Sequence, residues 1–151
     1  MKSIYKLTWS DNAVNEHATT PDSIVKGRNG TTVEILNTDA EGRMILADAL
    51  SYAKQYEPDL VIDMATLTGA AAVALGSIGT AVMGTADEKV LKNVQEAGAS
   101  CHERTVEFPM WAEYGKLIDS EIADLKNIGG RDGGAITAGK FLERFTDYPW
   151  I

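Results

Sequence analysis

Asp39 and Glu41 are the residues of this chain whose types and spacing most directly suggest chemistry. They lie in NTDAEGR, residues 37–43, a turn-forming segment between a β-favouring run and an apolar run of helical period. In a strand, residues two apart share a face, but on a loop the backbone can aim both carboxylates at one point. Two converging carboxylates repel unless one is protonated or a cation lies between them, and oxygen donors suit a divalent metal. Arg43 adds a planar donor able to hold a small oxyanion beside that metal. The same residues also fit a structural role. Asp39 can cap the following helix, Glu41 can favour its positive end, and Arg43 can pair with either. Local pattern leaves both readings open.

The next candidate is NIGGRDGGAITAG, residues 127–139, a glycine-rich loop that opens into a helical pattern. Backbone N–H groups at a helix start attract anions. No Lys-Ser or Lys-Thr follows the glycines at the spacing of a phosphate-binding P-loop, and close packing of the loop is the simpler reading. His17 and His102 are far from the acidic pair in sequence and read as surface residues. Cys101 has no recognisable nucleophile context.

These residues need a frame. Residues 23–36 hold two β-favouring runs flanking Asn29-Gly30, a strong hairpin signal. The next run, 43–56, repeats Ile45, Ala49, Tyr52, Ala53 and Tyr56 at helical spacing, which predicts an amphipathic helix with those residues inward. LVIDMATL, 60–67, reads as a strand buried on both faces, and PWI at 149–151 as the opening of another. Between them the pattern predicts a small-residue helix at 69–76 and a strand at 80–84. It also predicts a helix capped by Thr85 and Glu88 and ending near Gly98, a helix from Pro109, and one over 135–145. The sum is an α/β fold with a mixed, largely parallel sheet flanked by helices.

Composition narrows the function. Of 151 residues, 44% are hydrophobic and 24% charged, the profile of one globular domain. With 22 acidic against 14 basic residues the net charge is -8 and no basic run occurs, which argues against nucleic acid and anionic membrane as partners. The longest apolar stretch, 64–84, is interrupted by threonines, glycines and a serine, so a spanning helix is not expected. The N-terminus has no apolar signal core. One cysteine permits no internal disulfide and suits a reducing compartment, so a soluble, cytoplasmic protein is the expectation.

Taken together and in order, NTDAEGR, VIDMATLTGA at 61–70 and NIGGRDGGAITAG resemble the cytosolic leucyl aminopeptidases, over about residues 12–151. NTDAEGR is similar to that family's signature. The resemblance favours the metal reading of the acidic pair. It implies an α/β catalytic domain with two divalent ions, zinc or manganese, in an enzyme that is typically a hexamer. By the same resemblance Asp39 ligates one metal and Glu41 bridges both. Arg43 corresponds to an arginine that holds bicarbonate. Thr66, Leu67 and Gly69 correspond to the loop lining the substrate site, and the small Ala40 leaves space beside the metals. The implied reaction removes an N-terminal, leucine-like residue from peptides using metal-activated water. The family's metal-binding lysine, further aspartates and second lysine belong upstream of the signature and are not matched here, and residues 1–10 do not resemble the family segment. The chain, 1–151, therefore reads as a partial C-terminal catalytic domain. The rival readings are an inactive fragment serving as an assembly module and an anion-binding domain using the 129–134 loop.

Overall fold

A computed structural model describes residues 3–8 and 18–151. His17 lies outside them, as do Asp11 and Glu16. The predicted hairpin is present. β1 (Ile24–Lys26) pairs antiparallel with β2 (Thr32–Glu34), and Gly30 takes φ +93°, a value that favours glycine in the turn. β2 then pairs in parallel with β5 (Leu125–Lys126), in register Val33 to Leu125 and Glu34 to Lys126. A second small sheet joins β3 (Thr80–Val82) to β4 (Thr105–Glu107), again in parallel. The architecture is α/β with mostly parallel pairing, divided between two small sheets.

The strand expected over 60–67 is reduced to a single parallel bridge, Val61 to Trp150. Val61 N–H donates to the Pro149 carbonyl and Asp63 N–H to the Ile151 carbonyl, both at 2.9 Å. Paired on this one side, the segment leaves Ile62 56% and Met64 93% exposed, so burial on both faces does not hold. Trp150 and Ile151 are buried instead.

Helix α1 (Glu41–Ala53) forms as predicted, but its buried stripe is Arg43, Ala47 and Leu50. The expected stripe through Ile45 and Tyr56 is turned partly outward, with Tyr56 43% exposed. Counting apolar residues misses a stripe that begins with an arginine. α2 (Gly69–Leu75) is capped by Thr68, whose hydroxyl accepts from Ala71 N–H, and it buries none of its residues. α3 (Glu88–Ser100) is capped by Asp87, which accepts from Val90 N–H at 2.9 Å, in place of the expected Thr85, and it runs past Gly98. The helix expected from Pro109 is short: α4 (Ala112–Gly115) followed by a tighter turn at Lys116–Ile118. α5 (Gly134–Glu143) is buried almost all round and forms the centre of the molecule.

The main core joins Val33, Ile35, Ala47, Leu50, Ile118 and Leu125 to Phe141, Leu142, Phe145 and Trp150. It locks α1 and α5 against the β1–β2–β5 sheet. A smaller cluster of Val82, Ala86, Leu91 and Ile151 seats α3 on β3. Gly84 allows the terminal segment to approach, because a Cβ there would stand 2.2 Å from the Trp150 carbonyl oxygen.

Candidate functional site

β2 and β5 are parallel, so their carboxyl ends open on the same side of the sheet. The loops that leave those ends hold both sequence candidates: 37–40 after β2, and 127–133 after β5. Asn37 begins the first loop. Its side-chain oxygen accepts from Asp39 N–H at 2.9 Å and caps the turn Thr38–Ala40, which runs directly into α1. This hydrogen-bonded turn carries Asp39 and Glu41.

Two adjoining clefts border the loops. One, of about 350 Å³, is lined by Asn37, Asp39, Arg43 and residues 66–70 on one side and by 128–131 with Thr137 on the other. The second, of about 330 Å³, is lined by Glu41, Met64 and Thr8 among others. Asp39, Ala40, Arg43, Thr66 and Leu67 border both. Asp39 and Glu41 thus both line the second cleft, and Gly69 lines only the first. Both carboxylates are exposed, whereas Leu67 is half-buried and packs on the main core.

Arg43 is the buried member of the set, at 8% exposure. Its Nη1 donates to the Asn127 carbonyl at 2.7 Å. Its Nε is buried with no hydrogen-bond partner among the described residues. Burial pulls the guanidinium below its ordinary pKa, yet arginine starts so high that it stays charged. Arg43 lines both clefts, and a buried guanidinium whose Nε–H has no partner among the described residues is short of acceptors.

The 127–134 loop bears out the close-packing reading and also borders the first cleft. Gly129 is packed so closely that a Cβ would lie 2.7 Å from Thr137, and Gly130 and Gly133 hold positive φ values of +93° and +63°. The same loop lines the first cleft through Ile128, Gly129, Gly130 and Arg131. Arg131, Thr137 and Asn37 are cleft residues that reading the sequence did not single out, and no spacing rule would have found them. His102 and Cys101 are exposed, and neither borders these two clefts.

Among the described residues no group of three or more His, Cys, Asp and Glu side chains is placed to hold a metal. Asp39 and Glu41, two carboxylate residues lining one cleft, fit a divalent cation in donor type but are fewer than a full ligand set.

Residues 3–151 match the model of the cytosol aminopeptidase family, catalytic domain, and the chain belongs to that family. A probable cytosol aminopeptidase of Nitrosomonas eutropha is 51% identical over 145 residues, covering 95% of this chain and 29% of that protein. One from Syntrophotalea carbinolica is 51% identical, covering 93% and 28%. Among solved structures, a mutant of tomato leucine aminopeptidase superposes with a TM-score of 0.88 at 39% identity, over 93% of this chain and 28% of that one. The chain thus spans less than a third of the length of these relatives.

Proposed function

We propose that this chain carries the carboxylate and arginine part of a metal-dependent aminopeptidase site, within a partial catalytic domain. The observation that carries the reading is that Asp39 and Glu41 line one cleft together with Arg43, Thr66 and Leu67. Family membership supplies the reaction class, hydrolysis of the bond after a peptide's N-terminal residue. Zinc or manganese, when bound, would acidify water and polarise the scissile carbonyl. Asp39 would hold one ion, and Glu41 would bridge a pair. Arg43 would hold a bicarbonate or similar oxyanion through its guanidinium, keeping that anion beside the reacting water. Thr66, Leu67 and Gly69 would line the pocket for a leucine-like side chain, with Leu67 fixed by the core and Ala40 leaving room. A cytoplasmic homo-oligomer, hexameric in the intact enzyme, completes the proposal.

Two carboxylates are few for two tightly held ions. The chain by itself is therefore expected to bind metal weakly and to hydrolyse leucine amide poorly. Calorimetric titration of the chain and of Glu41→Ala with Mn²⁺ and Zn²⁺, alongside leucine-amide turnover, tests both parts. Binding that disappears in Glu41→Ala supports the site. No binding by the wild-type chain overturns the metal reading, and rapid turnover overturns the incomplete ligand set.

A further inference from the structure

Asn127 is among the most deeply buried polar residues of the molecule, at 1% exposure, and it lies at the start of the loop after β5. Its side-chain oxygen accepts from Leu36 N–H at 2.9 Å and from Asn37 N–H at 3.3 Å. Its Nδ2 donates to the Asn37 carbonyl at 2.6 Å. Its own N–H donates to the Glu34 carbonyl at 2.9 Å, and its carbonyl accepts from Arg43 Nη1 at 2.7 Å. All of these partners lie within residues 34–43, the segment that carries Asp39, Glu41 and Arg43. Two N–H groups converge on one side-chain atom and a carbonyl faces the other, so the amide can sit only one way round. Asn37, held on both backbone faces by Asn127, in turn accepts from Asp39 N–H. A continuous hydrogen-bonded path thus runs from Asn127 to the first carboxylate, and a second leads directly to the arginine.

We propose that Asn127 is a positioning residue for the reaction: it fixes the Asp39–Glu41 turn and the Arg43 guanidinium in one mutual geometry. In its effect on metal binding the proposal rests on the metal reading of Asp39 and Glu41. Neither an acidic nor an apolar side chain meets the requirement at this place. Aspartate offers acceptors only and would oppose the Asn37 carbonyl, while an apolar side chain would strand two N–H groups and a carbonyl. The other end of the same strand pair provides a structural comparison. There Asp124 accepts from the Thr32 N–H and hydroxyl, both at 2.7 Å, pinning β5 to β2 away from the cleft.

The test compares Asn127→Ala, Asn127→Asp and Asp124→Ala in the full chain, each first checked for folding by circular dichroism. Hydrogen exchange over residues 36–43, without metal, reads the turn directly. Asn127→Ala is expected to speed exchange at Leu36, Asn37 and Asp39 at least about tenfold and to weaken Mn²⁺ binding about 10–100-fold, the usual cost of losing a residue that orients ligands. Asp124→Ala is expected to lower the melting temperature and leave both readouts unchanged. Equal effects from Asp124→Ala, or wild-type exchange in Asn127→Ala, would overturn the proposal. Should Asn127→Ala not fold, Asn127→Asp decides, because it keeps both acceptor bonds and loses only the donor; wild-type exchange and affinity in that variant would overturn the proposal. If the wild-type chain binds no Mn²⁺, the metal reading fails, and the exchange comparison still decides the role of Asn127.

Discussion

Glu41 and Arg43 stand two residues apart on the first turn of α1, yet they meet different surroundings, and their variants should separate. Glu41 is exposed at the cleft, and Arg43 is buried and tethered by its Nη1. In an enzyme form with measurable leucine-amide turnover, Glu41→Ala should lower kcat/KM by more than about 10³-fold if Glu41 bridges two ions as proposed, because one residue would then be withdrawn from both. Arg43→Ala should lower it less, by about 10–100-fold, with metal affinity nearly unchanged; equal losses of metal in both variants would contradict the division of roles. Asp63 offers a prediction of another kind. Burial raises its pKa, partly offset by the hydrogen bond from Trp150 Nε1. A carboxyl whose folded pKa lies above its unfolded value, about 3.9, binds its proton more tightly when folded, so its stabilising contribution is present below that value and is lost as pH rises through the folded one. Asp63→Asn, which keeps an acceptor for Trp150, should therefore gain stability relative to wild type between pH 4 and pH 7. Urea midpoints at the two pH values measure this. The neighbouring Tyr148 is pushed up to about 12, chiefly by burial, so its hydrogen bond to the Leu50 carbonyl persists throughout that range.

At the scale of elements, the glycines of α1 and of the turn after β3 should respond in opposite directions. Gly42 is helical with open space where a Cβ would go, so Gly42→Ala should stabilise the fold by about 0.5–1 kcal/mol. Gly84 has the Trp150 carbonyl in that place, so Gly84→Ala must push the 149–151 segment away and should cost about 1–3 kcal/mol. Thermal unfolding of the two variants gives the comparison, and a neutral Gly84→Ala would mean that the pairing of 61–63 with 149–151 is not a fixed part of the fold. That pairing leads into residues 64–69, so its loss should also loosen the Thr66–Leu67 side of both clefts.

The whole molecule exposes more apolar surface than its small core suggests. Met64, Val73, Ile78, Trp111 and Ile122 are each at least 62% exposed, and α2 buries nothing. Scattered exposed apolar residues are ordinary, but α2, which meets α5 and β3 through half-buried residues only, would suit a surface covered in the proposed oligomer. The chain is expected to associate at high concentration, and Val73→Glu should shift it toward monomer in light scattering. A wild-type chain that stays monomeric would argue against the oligomer proposed above.

The hairpin at Asn29-Gly30, the α/β class and the strand–loop–helix setting of Asp39 and Glu41 were legible in the sequence, because each rests on local turn chemistry and periodicity. Three motifs in order pointed to the family, which pattern at any one of them left open. What the sequence could not decide depended on pairing between distant segments. β2 takes β5 as its parallel neighbour, 92 residues on, and only that pairing brings the 37–40 and 127–133 loops to one edge. The burial of Arg43 and Asn127 likewise follows from the pairing and packing of their distant segments, and neither residue type signals a core position. Residues 60–67 read as a fully buried strand because they are apolar, yet a strand is buried on both faces only if neighbours cover it. Tertiary structure gave this one a single bridge and left Met64 exposed.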